Sequence, residues 1–153
     1  MVRVPLVAAV TALLLVAFPA PAPAGEDVVG YTVEADFDEV EFAIESAIVD
    51  RGLVIDYVSR VGGMLNRTAA DVGATRQVYT QANVYLFCSA TLSRKMMEAD
   101  PDNIGHCPYG IFAYELAEAP GVIHVGYRRM PEGVMKEVEA LLDAIAREAA
   151  GLD

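Results

Sequence analysis

The residues best able to carry chemistry stand in one stretch of the chain, from Gln77 to Leu116. It contains both cysteines, Cys88 and Cys107, and one of the two histidines, His106. Cysteine sulfur and imidazole nitrogen bind soft metals, and a cysteine thiolate is also the nucleophile of thiol–disulfide exchange. This stretch therefore defines the candidate site, and the rest of the chain must supply the elements that position it.

Three interpretations of the two cysteines are open. As a structural disulfide, Cys88 and Cys107 would close a loop of about 18 residues and stabilise the fold by about 3 kcal/mol. As buried thiols they would behave as small hydrophobic side chains. As a functional centre they would form a reactive thiol, a persulfide carrier or a soft-ligand site. In a soft-ligand site, Cys88, His106 and Cys107 are the expected metal ligands and Met97 is a further cofactor contact. The bound group would then be a soft transition metal or haem.

Known catalytic motifs are missing from the chain. It has no G-x-S-x-G, H-E-x-x-H, P-loop or G-x-G-x-x-G sequence. It also lacks C-x-x-C and C-x-x-C-H, which argues against a thioredoxin motif and covalently attached c-type haem. The sequence leaves open whether the protein is an enzyme and favours a binding or carrier role.

Other side chains have simpler explanations. His124 stands in the middle of an expected strand, where a lone histidine is more often structural than a ligand. Four aromatic residues of the last strands, which would line a pocket or pack across the sheet, are Tyr109, Phe112, Tyr114 and Tyr127. The basic doublets Arg94-Lys95 and Arg128-Arg129 are either solvated surfaces or sites that hold an anion.

The first 24 residues have the pattern of a secretory signal peptide. A positive charge at Arg3 precedes an apolar run from Leu6 to Phe18, and Ala22-Pro23-Ala24 gives a small-residue cleavage site before Gly25. A retained membrane anchor is the alternative, but a span needs about 20 apolar residues. We therefore expect a signal peptide at 1–24 and one domain at 25–153, exported to a periplasmic or extracellular compartment where paired cysteines oxidise.

The acidic charge of the chain argues against two classes of partner. It has 22 acidic and 11 basic residues, with a formal net charge of −11. Nucleic acids and anionic membranes are bound by Lys and Arg, so a strongly acidic chain is not expected to bind either. We predict no nucleic acid partner, and no membrane association after cleavage of the signal.

The hydrophobic pattern predicts alternating strands and helices. Strands are expected at 28–34, 53–61, 77–88, 109–116 and 122–128, and helices at 37–51, 64–72, 90–99 and 132–149. Asp36 and Glu39 have capping-box spacing, Ser89 is an expected N-cap, and residues 100–103 form a turn. The order β-α-β-(α)-β-α-β-β-α predicts an α+β two-layer sandwich, with helices on one face of a largely antiparallel sheet.

The chain also resembles a known bacterial family, domain of unknown function 302. The resemblance covers about residues 28–148. It is carried by the Phe87-Cys88 strand ending, the helix with Met96-Met97, and the strand that opens after Cys107 and includes Tyr114-Glu115. The family's second cysteine follows a proline, whereas His106 precedes Cys107 in this chain and Pro108 follows it.

This resemblance implies a compact α+β domain that forms homodimers and is associated with sulfur-compound metabolism, without an established activity. Together with the residues, it favours an exported binding or carrier domain that holds a metal, a haem-like group or a sulfur species near Cys88, His106 and Cys107. The alternatives are a thiol-redox protein that cycles Cys88 and Cys107, and a structural dimerisation module with a disulfide staple.

Overall fold

The computed structural model describes residues 27–152. Its five strands in this range are β1 (Val28–Glu34), β2 (Val54–Ser59), β3 (Tyr79–Cys88), β4 (Tyr109–Leu116) and β5 (Val122–Arg128). Its helices are α1 (Phe37–Val49), α2 (Val61–Thr68), α3 (Ala90–Ala99) and α4 (Lys136–Ala149), with a short 3-10 helix (Pro101–His106) after α3.

The strands form a single antiparallel sheet in the order β1-β5-β4-β3-β2. The central strand β4 pairs with β3 on one side and β5 on the other, and the first two strands of the chain occupy the edges. The predicted α+β fold, its antiparallel sheet and its order of elements are therefore confirmed.

The hydrophobic core lies between one face of the sheet and helices α1 and α4. Their apolar stripes recur at helical spacing, so each helix presents one continuous buried face. Fully buried side chains from the two helices and the sheet are Ile44, Ile48, Val138, Leu142, Ile145, Ile111, Ile123 and Val125. The sequence predicts an apolar stripe on the last helix at Val134, Val138, Leu141, Leu142 and Ile145. Val138, Leu142 and Ile145 are fully buried, Leu141 is partly buried and Val134 is exposed.

The starts of α1 and α4 differ from the predictions. Asp36 occupies the N-cap of α1, but its side chain makes no capping hydrogen bond, and the Glu39 amide instead donates to the Asp36 carbonyl at 3.2 Å. The last helix begins at Lys136 rather than at residue 132. Gly133 has φ +90°, a conformation that a right-handed helix does not contain, so the helix starts after it.

The strand β2 and helix α2 also depart from a simple alternating pattern. A bulge places Asp56 between the pairs Ile55–Phe87 and Tyr57–Leu86. An extra residue shifts the faces of a strand, so Ile55 and Val58 both reach the core.

Helix α2 begins at Val61, earlier than expected, and lies against β3. A Cβ atom at Gly62 would lie 2.6 Å from the Ala82 amide nitrogen, so glycine permits this close approach rather than breaking the chain. Asn83, which follows Ala82, donates to Glu41 of α1 at 3.1 Å. Neighbouring strand residues point to opposite faces, so α2 covers a corner of the face away from α1.

The expected signal peptide at 1–24 lies outside the described residues. Between residues 27 and 152, none of the helices combines the length and the apolar character that crossing a bilayer requires.

A shared carboxylate ties the sheet to α4. Tyr31 of β1 and Tyr127 of β5 both donate their hydroxyls to Asp143 Oδ1, the second at 2.9 Å. The Arg147 guanidinium lies 5.7 Å from the centre of the Tyr31 ring. A charged acceptor strengthens a hydrogen bond, so this cluster fixes how α4 lies on the two strands.

Replacing Tyr127 by Phe should lower the free energy of unfolding by about 2 kcal/mol, since it removes a hydrogen bond to a charged acceptor. Tyr85→Phe is the matched control. The Tyr85 hydroxyl is buried without a hydrogen-bond partner among the described residues, so its removal should leave stability unchanged or raise it. Urea titrations of the two variants and the parent protein make the comparison.

The pH dependence gives a second comparison for the same variant. Burial, and next the bond to Asp143, raise the pKa of Tyr127. The resulting stabilisation is complete below the ordinary tyrosine pKa of about 10. It is lost as the pH rises through the higher pKa that Tyr127 has in the folded protein. The difference between parent and Tyr127→Phe should therefore shrink at alkaline pH. Equal losses in Tyr127→Phe and Tyr85→Phe would contradict the assigned role of Asp143.

Candidate functional site

The register of the two central strands brings the cysteines together. Phe87 of β3 stands opposite Tyr109 of β4, so the chain positions just beyond these strand ends are neighbours. Cys88 ends β3 and Cys107 stands two residues before Tyr109, and their Sγ atoms are 2.7 Å apart. The predicted proximity of the two sulfurs is confirmed. Both cysteines are partly exposed to solvent.

The segment between the cysteines folds back on the sheet through local hydrogen bonds. Ser89 caps α3, as predicted, by accepting a hydrogen bond from the Leu92 amide at 3.3 Å. The expected turn at 100–103 is instead the start of the 3-10 helix, which Asp100 caps by accepting from the Asp102 amide at 3.0 Å. The Asn103 side chain donates to the Met96 carbonyl at 2.9 Å and joins this helix to α3.

Polar groups surround the sulfurs on the side of α3. Ser93 Oγ lies 3.7 Å from Cys107 Sγ and donates to the Tyr109 hydroxyl at 3.3 Å. The Tyr109 ring meets Phe87 edge to face, with ring centres 6.5 Å apart. Cys107 thus has a hydroxyl beside it, whereas the buried aromatic pair forms the base of the site.

The environment of Cys88 opposes the formation of a thiolate when the pair is reduced. Burial is the largest cause, followed by the contact with Cys107 and the charge of Asp56, and together they raise the pKa of Cys88 to about 12. The Tyr109 backbone amide acts in the opposite direction by bonding to the sulfur. Because a thiolate is the reactive form, reduced Cys88 is a poor nucleophile at neutral pH.

The other predicted ligands do not join the sulfurs. His106 ends the 3-10 helix and borders a groove that Leu86 and Phe112 also line. Met97 lies on the outer surface of α3 beside Arg94 and Glu98. Within the described part of the chain, no three His, Cys, Asp or Glu side chains come together in a group that could hold a metal ion.

The aromatic residues of the last strands divide between the two faces of the sheet. Tyr109 and Tyr127 are buried in the core, whereas Phe112 and Tyr114 are only partly buried. Tyr114 stacks on His124, with ring centres 4.6 Å apart and planes 13° from parallel. His124 is half-buried, and its ring packs on the Tyr114 ring of the neighbouring strand.

A groove of about 260 Å³ lies on the face of the sheet that α1 and α4 leave uncovered. Its apolar floor includes Val84, Leu86 and Phe112, and its rim carries His106 and Arg128. Sequence reasoning did not identify this groove. The available signal was the even-numbered apolar positions of β3 and β4, for which no further helix was predicted as a cover.

Comparisons with known proteins fit this fold. The family described as "Domain of unknown function DUF302" matches residues 29–151. A crystal structure of an uncharacterised conserved protein of that family from Bacillus stearothermophilus has a TM-score of 0.58 and 13% sequence identity, covering 84% of this chain and 96% of the other. At this identity, the structural likeness concerns the fold alone. The search of curated proteins found no match.

The raised pKa of Cys88 leads to a direct test in the reduced protein. A thiolate reacts with iodoacetamide and a thiol does not, so alkylation of Cys88 should keep accelerating above pH 9. An ordinary cysteine, with a pKa of about 8.5, levels off near that pH. In Cys107→Ser the neighbouring sulfur is gone but burial remains, so the pKa of Cys88 should fall and still exceed the ordinary value.

Peptide mass spectrometry after timed alkylation would give the rate at Cys88 at each pH. A rate that levels off at an ordinary cysteine pKa would show that Cys88 is less enclosed than its contacts with Cys107, Tyr109 and Asp56 indicate.

Proposed function

The chain belongs to the DUF302 family, and from this premise we propose that it is an exported thiol–disulfide protein in which Cys88 and Cys107 interconvert between dithiol and disulfide. The observation that carries this proposal is the 2.7 Å separation of two partly exposed sulfurs. The pattern at residues 1–24 supports export to an oxidising compartment, where such a pair has partners for exchange.

The unequal surroundings of the sulfurs suggest the order of the steps. Cys107 attacks a partner disulfide as the thiolate, forms a mixed disulfide and releases the partner's first thiol. Cys88, whose thiol pKa is raised by burial, then deprotonates and attacks the Cys107 sulfur, which releases the second partner thiol. Two electrons and two protons thereby pass from the Cys88–Cys107 dithiol to the partner disulfide, and an external dithiol restores the reduced form.

The partial exposure of the two cysteines favours this proposal over a purely structural disulfide. A staple needs only the sulfur contact and is best sealed from solvent, whereas exchange requires an incoming sulfur to reach one of the two cysteines. Both cysteines keep some solvent exposure, and Ser93 beside Cys107 offers a hydroxyl near the sulfur.

A soft-ligand carrier is the second candidate, supported by the same pair in its reduced state. Two adjacent thiolates suit a thiophilic cation such as Cu⁺, which binds soft sulfur ligands. We expect no contribution from His106, because within the described part of the chain it forms no group with the two cysteines that could hold a metal ion. The carrier would therefore use Cys88 and Cys107 alone.

A redox titration tests the leading proposal. Protein purified from the exported fraction without reductant is equilibrated in glutathione buffers of graded potential, acid-quenched, alkylated and weighed intact. We expect one reversible two-electron transition at a potential above about −300 mV, shared by both cysteines. Cys88→Ser and Cys107→Ser should each lose the transition, and His106→Ala should retain it.

Each alternative has its own result in this experiment. A pair that stays oxidised throughout the glutathione range, and is reduced only when the fold is lost, would show a staple and overturn the proposal. A copper adduct that needs both cysteines and survives purification, without a reversible disulfide transition, would establish the carrier in its place.

A further inference from the structure

The groove on the uncovered sheet face carries positive charge in a strongly acidic protein. Arg128, the last residue of β5, is exposed at its rim and forms no ion pair with any residue between 27 and 152. His106 stands on the same rim. The chain has 22 acidic residues, yet none of the side chains that line the groove is acidic.

The rest of the groove is apolar and closely packed. Val84 and Leu86 of β3 and Phe112 of β4 form its floor. A Cβ atom at Gly126 would lie 2.6 Å from Phe112 Cζ, so the absence of a side chain there lets the Phe112 ring lie down on β5. The sheet therefore supplies the floor of the groove, and Gly105, His106 and Pro108 of the returning segment border it.

From this combination we infer that the groove is a binding site for a small amphipathic anion, namely a carboxylate or sulfonate on an aromatic or short aliphatic body. The apolar body would lie on Leu86 and Phe112, and the anionic group would bind the Arg128 guanidinium, whose planar donors match a carboxylate or sulfonate. A volume of about 260 Å³ suits a ligand smaller than most drug molecules.

Charge favours this occupant over a second copy of the chain. The protein carries a formal charge of −11, so two copies repel each other at long range, whereas the rim of this groove is locally positive. The inference is independent of the proposed redox function, since it requires neither sulfur to change state. The two are neighbours, because Cys107 lies between His106 and Pro108, which both border the groove.

The test compares two probes with the same ring system. 1-Naphthalenesulfonate carries the anion, and 1-naphthalenemethanol is its neutral counterpart. Each is titrated into the ¹⁵N-labelled protein and followed by amide chemical shifts. We expect saturable one-to-one binding of the sulfonate with a Kd of about 1 mM or lower, and the largest shifts at Gly105, Gly110 and Arg128. The neutral probe should bind at least about five-fold more weakly.

Variants separate charge from apolar contact. Arg128→Gln should lower the affinity for the sulfonate at least about five-fold and change the affinity for the neutral probe less than about two-fold. Arg94→Gln is the matched control, because Arg94 is exposed on α3 away from the groove, and it should change neither. Phe112→Ala should lower the affinity for both probes, because both lose apolar contact with the ring that forms the floor of the groove.

Other outcomes of these titrations would contradict the inference. Equal affinity for the two probes, an equal effect of Arg94→Gln and Arg128→Gln, or shifts that do not saturate would overturn the inference. So would a homodimer in sedimentation analysis whose interface covers Gly110 and Phe112 and which Arg128→Glu dissociates, because the occupant of the face would then be a second copy. The redox transition of Cys88 and Cys107 is measured separately and decides none of these outcomes.

Discussion

The contact between Cys88 and Cys107 is the constraint on which the arrangement of the site depends. Twenty residues from Cys88 to Cys107 leave the sheet after β3, form α3 and the 3-10 helix, and return beside the point where they left. Without that return, His106 and Pro108 would not border the groove and Ser93 would not lie beside a sulfur. The hydrogen bond from Asn103 to the Met96 carbonyl supports the same return from within the segment.

The two faces of the sheet next to the sulfur pair differ in what covers them. One face is covered by α1 and α4 and holds Ile44, Leu142 and their neighbours without solvent exposure. The other is covered only at a corner by α2, so Leu86 and Phe112 remain available on it. The sulfur pair lies at the end of the sheet where these faces meet the loop. The sulfur pair and the apolar groove therefore lie on one short segment, and Tyr109 borders both of them.

Much of the fold could be predicted from local patterns in the sequence. The period-two runs located β3, β4 and β5, and the stripe of Val138, Leu142 and Ile145 located the buried face of α4. The strand–helix–strand order around the cysteines was enough to predict that they meet, because the ends of paired strands are neighbours in space. Ser89 marked the start of α3 by the ordinary chemistry of an N-cap.

What could not be predicted depends on contacts between distant parts of the chain. Alternation shows that Phe112 and Tyr109 lie on opposite faces but does not show which face the helices cover. His106 was grouped with the sulfurs because it precedes Cys107, yet consecutive residues leave the backbone in different directions, and His106 borders the groove. The bulge at Asp56 likewise changes which β2 residues reach the core, although the local sequence of alternating residues gives no sign of it.

The most direct test of this account is hydrogen–deuterium exchange of the oxidised and reduced protein, resolved by peptide. If the sulfur link holds the returning segment against the sheet, reduction should speed exchange in peptides spanning 101–110. Peptides from α1 and β1 should exchange at unchanged rates, because their hydrogen bonds do not depend on the link. Unchanged exchange at 101–110, or a uniform increase throughout the chain, would contradict the central role assigned here to the Cys88–Cys107 contact.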